Sequence, residues 1–178
     1  MRKTGLLLLA TLVTAMALAA VAPAAPAKTK KKGLPDACLI VTKADVTAAF
    51  AKLDPVLQPT TVNDPARSKP TNQGGFGPHA CETALILPNS VSANVLVEAL
   101  ALDKRIGCPP KGQPGKSVKV SGTKVLLEPL PSNPAVTRDV QFADKGACVS
   151  IEIFVSGGPN HVPPSGFTDL AAAVLAKK

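Results

Sequence analysis

Residues 144–155, Asp144-Lys145-Gly146-Ala147-Cys148-Val149-Ser150-Ile151-Glu152-Ile153-Phe154-Val155, decide the fold. Val149, Ile151, Ile153 and Val155 alternate with Cys148, Ser150, Glu152 and Phe154, the period of two that sends alternate side chains to opposite faces of a β-strand. The first set is the core face, and Cys148, Ser150, Glu152 and Phe154 share the other. Asp144-Lys145-Gly146 is a turn, and residues 136–142 ahead of it are the first arm of a hairpin with 147–155.

The same reading extends towards the N-terminus. Residues 116–120 and 123–127 flank Ser121-Gly122 as a second hairpin. Residues 81–87, Pro88-Asn89-Ser90 and 91–100 read as strand, turn, strand, with Leu96, Leu100 and the alanines leaving a helical reading of 91–100 open. Residues 101–106 read as a short helical turn stopped by Gly107, and Cys108-Pro109-Pro110-Lys111-Gly112-Gln113-Pro114-Gly115 as an irregular loop. Residues 55–78, rich in Pro, Thr, Asn and Gly with no apolar period, read as a long mobile loop where binding would rest on backbone plasticity.

Two helices close the ends. Thr42 is placed to cap a helix with Asp45 at its third position, Val41 and Val46 form a hydrophobic staple, and Val46, Ala49, Phe50 and Leu53 recur at helical spacing until Asp54-Pro55. Residues 167–175 form the other helix, with Thr168 as cap and Lys177 and Lys178 at the negative end of its dipole. The expected fold is α+β: an antiparallel sheet built from hairpins, with an N-terminal and a C-terminal helix, stapled by two disulfides. There is no internal repeat.

With 178 residues the chain has room for one domain, and 46% hydrophobic content argues against disorder. The only long apolar run, residues 6–22, lies at the N-terminus, which excludes a polytopic membrane protein. Met1-Arg2-Lys3, the apolar residues 6–20 and Ala25-Pro26-Ala27 are the three parts of a secretory signal, so residues 1–27 are expected to be a signal peptide. Residues 28–35 follow as a basic flexible tail and 36–178 as a single domain. No cysteine near the apolar run offers a lipid-attachment site.

Cys38, Cys81, Cys108 and Cys148 all lie in the exported part, an even number that favours two disulfides. Three pairings are open. Cys38 with Cys81 and Cys108 with Cys148 is preferred because the two loops are then alike, 43 and 40 residues. A loop of that size gives roughly 4 kcal/mol in the chain-entropy account.

The formal net charge is +8. Arg2, Lys3, Lys28, Lys30, Lys31, Lys32, Lys177 and Lys178 make up the whole excess, so residues 33–176 carry no net charge to draw phosphates. Without Trp or Tyr the usual stacking platforms are missing as well, and nucleic acid is not an expected partner. Lys28, Lys30, Lys31 and Lys32 would give at most weak, salt-screened contact with an anionic membrane or polymer. A monomer is expected, with an unknown protein or envelope ligand as partner.

The motifs that suggest chemistry each have a plainer reading. Gly115-Lys116-Ser117 resembles the end of a phosphate loop, but Pro110 stands where its first glycine belongs. His79 and Cys81, completed by Cys108 or His161, would make a metal site only if the cysteines stayed reduced, so neither metal nor cofactor is expected. Two histidines are thin for acid–base work, no serine lies in a nucleophile elbow, and the acidic residues are spread singly like solvated surface positions. An enzyme is therefore not expected. Pro109, Pro110 and Lys111 form the candidate binding loop, stiffened by prolines beside a disulfide; the plainer reading is a rigid connection between sheet elements.

Asp36-Ala37-Cys38-Leu39-Ile40-Val41-Thr42, a second cysteine ahead of a strand pair, the central Ser121-Gly122 turn and the closing Phe167-Thr168-Asp169-Leu170-Ala171 helix resemble an uncharacterised family of actinobacterial envelope proteins. That family opens with an Asp-x-Cys-x-Leu-Leu-Thr stretch. The resemblance, over residues 36–176, implies a secreted or lipid-anchored domain with an antiparallel sheet backed by helices, and it transfers no catalytic residue. Two features depart from it: the lipid-attachment cysteine is missing, and no tryptophan follows Cys81. The expected function is a secreted, non-catalytic binding or structural module at or outside the cell envelope. The alternative is a secreted protease inhibitor presenting Lys111.

Overall fold

The computed structural model describes residues 33–67, 80–102, 105, 107–156 and 161–177. The signal segment, Lys28, Lys30, Lys31, Lys32, residues 68–79 with His79, and residues 103, 104 and 106 lie outside the described residues.

Asp36 accepts a hydrogen bond from the Cys38 amide and starts α1 (Ala37–Ile40). The expected cap follows. Thr42 Oγ1 accepts from the Asp45 amide at 3.3 Å while Asp45 Oδ2 accepts from the Thr42 amide at 2.7 Å, a reciprocal capping box that opens α2 (Lys43–Phe50). Asp54 accepts from the Val56 amide and begins a short 3-10 turn, Pro55–Leu57. The strands are β1 (Thr61–Val62), β2 (Ala66–Arg67), β3 (Ala80–Ile86), β4 (Ser92–Ala101), β5 (Lys116–Val120), β6 (Thr123–Leu130), β7 (Asn133–Asp144) and β8 (Ala147–Ser156); α3 (Pro164–Leu175) closes the fold.

All eight strands form one antiparallel sheet in the order β1-β3-β4-β8-β7-β6-β5, with β2 also pairing β3. β3 and β4 are one hairpin and β5 to β8 a meander. The two are joined by β4 against β8, a register of ten residue pairs from Ser92↔Ser156 to Ala101↔Ala147. The helical reading of 91–100 thus gives way to a central strand. The core lies between the sheet and the helices: Val95, Val97, Val125, Val140, Phe142, Val149 and Ile151 pack with Val46 and Phe50 of α2 and Phe167 and Leu170 of α3. Phe50, Phe142 and Phe167 are completely buried, each worth about 1.5–3 kcal/mol of transfer energy.

Two local expectations are corrected. Residues 55–67 are not structureless, because the Thr60 and Asn63 amides donate to the carbonyls of Ile86 and Ala84 and stitch β1 to the sheet edge. Strands of two residues leave no periodicity to read. Thr168 does not cap the last helix either: α3 begins at Pro164, whose fixed φ and missing amide suit a first turn, and Thr168 Oγ1 donates inside it to the Ser165 carbonyl at 3.0 Å.

Both disulfides join the favoured partners, Cys38 with Cys81 and Cys108 with Cys148, and no cysteine is free. They lie on opposite faces. Cys81 shares the core-facing stripe of β3 with Leu85 and ties down α1, whereas Cys148, on the far side of β8 from Val149, holds the loop that follows β4.

Candidate functional site

Helices cover one face of the sheet. Among the described residues no helix packs on the other, and there the polar half of each alternating strand collects. The register aligns Glu82 of β3, Leu96 of β4, Glu152 of β8, Asp139 of β7 and Glu128 of β6 in one row across five neighbouring strands. Phe154 lies two residues along β8 from Glu152 and is 41% exposed; Ile86 and Leu100 are exposed on the same face.

Arg138 supplies the counter-charge. It is skipped between the pairs Glu128↔Asp139 and Pro129↔Thr137, a bulge at the point where Pro129 has no amide to give the ladder. The bulge re-aims its guanidinium onto the row, where Nη2 stands 3.0 Å from Glu128 Oε1 and 3.3 Å from Asp139 Oδ2. Gln141 Nε2 donates to Glu128 Oε2 at 3.1 Å and Gln113 Nε2 to the same oxygen at 3.0 Å. Gln113 belongs to the loop held by Cys108–Cys148. Gly115 in that loop has φ +143°, and a Cβ there would sit 2.4 Å from the Leu127 carbonyl oxygen, so the loop can pass over β6 only with glycine at this position.

Charge in this cluster is poorly compensated. Asp139, with its side chain 1% exposed, is held above the ordinary carboxylate range by burial, which outweighs Arg138. Burial and then the neighbouring Asp139 raise Glu128, and the same two causes raise Glu152. Burial works against the charge of Arg138, but Asp139 and Glu128 reverse this and push it up. Among the described residues three buried atoms have no hydrogen-bond partner: Asp139 Oδ1, Gln113 Oε1 and Arg138 Nε.

The acidic residues are therefore not uniformly solvated surface positions. Glu128 is 8% exposed, and strand register, not sequence proximity, gathers the row. Alternation alone places Glu152 opposite the apolar stripe, and the same parity applied to every strand is the signal that finds the rest. Pro109 and Pro110 are half-buried and Lys111 is exposed, in a run of turns over residues 107–112. That run ends beside the row through Gln113, a residue the sequence did not single out.

His161 is exposed and lines a groove of about 190 Å³ with Arg138, Thr137 and Phe154 beside the row. Cys81 and Cys108, the cysteines weighed as metal ligands beside the histidines, are both in disulfides. No three His, Cys, Asp or Glu side chains among the described residues are arranged to hold a metal ion. A second groove, about 270 Å³, lies between Leu39 of α1, the β7–β8 turn at Lys145 and Lys177.

Two disulfides are at home in an oxidising compartment. No helix among the described residues is long and apolar enough to cross a membrane. No protein-family profile matches the chain, and no curated protein or solved structure matches it.

Proposed function

We propose that the protein is a secreted, non-catalytic binding module acting at or outside the cell envelope, and that the helix-free face of its sheet is the binding surface. The observation that carries this reading is the company of half-buried Glu82 and Glu152, beside buried Asp139 and Glu128, with exposed Phe154, Ile86 and Leu100 on one sheet face. Apolar side chains grouped with unsatisfied polar ones mark surfaces that gain by being covered. The signal-like N-terminus, the paired cysteines and the resemblance to envelope domains support the location.

The immobilised protein, exposed to native envelope extract, is expected to retain a partner that a Phe154→Ser/Leu100→Ser protein of equal stability does not. Equal retention by both proteins refutes the surface, and no retention refutes the binding reading. The protease-inhibitor alternative is favoured by one feature, the exposed Lys111 on a disulfide-held loop. Nanomolar inhibition of a trypsin-like protease that disappears in Lys111→Ala would replace the first reading with the second.

A further inference from the structure

The strand order leaves β5 at the end of the sheet, and among the described residues nothing pairs its outer edge, whereas the opposite edge is covered by β1 and β2 on β3. Ser121 and Gly122 have φ of +49° and +79°, the two left-handed residues of a tight hairpin turn whose flanking pair, here Val120↔Thr123, is hydrogen-bonded. Bonded and non-bonded pairs alternate from there. Val120, Val118 and Lys116 therefore bond β6 through their backbone groups, while Lys119 and Ser117 turn theirs outward.

The side chains of this edge are sorted as well. Val118 and Val120 pack half-buried against the core, and Ser117 and Lys119 are exposed. Lys119 faces Lys124 in a non-bonded pair, the kind that brings side chains closer, so like charges oppose each other at a cost in stability. Lys116, Lys119 and Lys124 take part in no ion pair among the described residues. The one carboxylate of β6, Glu128, is four residues or about 13 Å from Lys124 and is held by Arg138. Lysine on an edge strand is a common guard against unwanted pairing. A guard acts from the edge strand alone, however; Lys124 lies one strand in, and setting it against Lys119 gives up stability that guarding does not require. The same charges that turn away basic strands draw an acidic one.

We infer that β5 is a docking edge for an extended acidic segment of a partner protein, which adds a strand to the sheet. Backbone bonds to Ser117 and Lys119 supply the affinity, and alternating side chains, acidic towards Lys119 and Lys124 and apolar over Val118 and Val120, supply the choice of partner. A second copy of this chain is a poorer occupant, because β5 against β5 brings together three lysines from each copy. Leu100 on β4 and Phe154 on β8 are several strands away, so this edge goes beyond the surface proposed above and does not depend on it.

The probe is a peptide of about six residues, the usual length of a strand, alternating glutamate with valine and titrated calorimetrically into the purified protein. The expected result is binding that weakens as salt rises, with the amides of Ser117 and Lys119 gaining protection from hydrogen exchange. Lys119→Gln/Lys124→Gln should lower the affinity at least about tenfold, while Lys43→Gln, on α2, leaves it unchanged. The same peptide methylated on the nitrogens that face β5 keeps every charge and should not bind, which separates strand pairing from attraction to basic segments such as residues 28–32. Ser117→Pro removes an outward amide and no bond to β6, and should abolish binding in a protein that still folds. Equal binding of the methylated peptide or of a glutamine–valine peptide overturns the proposal, as do full affinity in either variant of the edge, unprotected Ser117 and Lys119 amides, and no binding. Self-association of the protein that Ser117→Pro abolishes would put a second copy on the edge and overturn it too. Retention of a partner through Phe154 and Leu100 is read on other residues, so failure at β5 leaves that reading standing.

Discussion

Asp139→Asn should stabilise this protein at neutral pH. The carboxyl is buried, flanked in register by Glu128 and Glu152, and only partly compensated by an Arg138 shared with Glu128. Its ionised form is disfavoured on folding, so the folded state binds a proton more readily than the unfolded chain, whose carboxyl has its ordinary value of 3.8. The folded protein therefore loses stability as pH rises through the raised folded-state value, and regains it as pH falls towards 3.8. Each unit of elevation corresponds to about 1.4 kcal/mol. Asparagine keeps the shape and one acceptor for Arg138 or Gln141, removes the repulsion with Glu128 and Glu152, and leaves Arg138 its 3.0 Å bond to Glu128. Against this gain stands the weakened 3.3 Å contact to Arg138, a fraction of the roughly 1.5–3 kcal/mol of a good charged hydrogen bond. The net expectation is about 1–2 kcal/mol of stabilisation near pH 7.5, or a rise in Tm of about 3–6 °C for a domain of this size. Urea titrations of both proteins between pH 5 and pH 8 measure it. Extended down to pH 3.8, they should show the wild type losing stability as pH rises from that value through the raised folded-state one, and the variant losing less. A variant that is weaker at every pH, with an unchanged pH slope, would show that Asp139 is held as a favourable ion-pair partner and that the reasoning is wrong.

Other perturbations bear on the frame around the row. Lys177 Nζ donates to the Ile40 carbonyl at 2.9 Å and pairs with Asp45, so Lys177→Met should cost about 1–2 kcal/mol in chemical denaturation. Burial opposes the charge on Asp45, but Lys177 and the Thr42 donors together hold its carboxyl below 3.8, so this support is complete above that pH and fades as acid protonates the folded form. In Lys177→Met that acid-side loss should be smaller, as a pH series of urea midpoints will show. Gly115→Ala forces a Cβ against the Leu127 carbonyl and should cost more than about 1 kcal/mol, with the Gln113 amide resonance losing its bonded position. Replacing Cys108 and Cys148 together by serine should lower stability by up to about 4 kcal/mol and raise hydrogen exchange first in residues 108–115.

The strands, both hairpins, the Thr42–Asp45 cap and the disulfide pairing were legible because each is written in local pattern or loop length. What escaped the sequence escaped for physical reasons. β1 and β2 are too short to alternate, and they exist because the edge of β3 offers them bonding partners. The start of α3 is set by Pro164 and not by a polar cap, so the nearest threonine misled. Gln113 carries no motif, and its part is visible only once the Cys108–Cys148 bridge has laid its loop beside Glu128.

The row itself depends on one long-range pairing. Glu82 and Leu96 belong to one hairpin, Glu128, Asp139 and Glu152 to the meander, and the alignment of the two sets is fixed by Leu96↔Glu152 between β4 and β8. A slip of two residues would keep every apolar side chain on the core face, since alternation survives an even shift, yet it would place Glu98 or Asn94 opposite Glu152. Alternation therefore specifies which residues share the open face but not which of them are neighbours. The fine register has to come from the packing of unlike core side chains, Val95 against Ile153, Val97 against Ile151 and Ala99 against Val149, and from the bridge between Cys108 and Cys148 at the end of the same strands. This is how residues 33–176 balance to zero net charge along the chain and still align four carboxylates with one guanidinium in a single row across the strands: linear counting averages what register sorts. The chemistry of the helix-free face is thus a property of the core, and a substitution deep among Val95, Val97 and Ile151 that loosened the register would rearrange the row without touching a single acidic side chain.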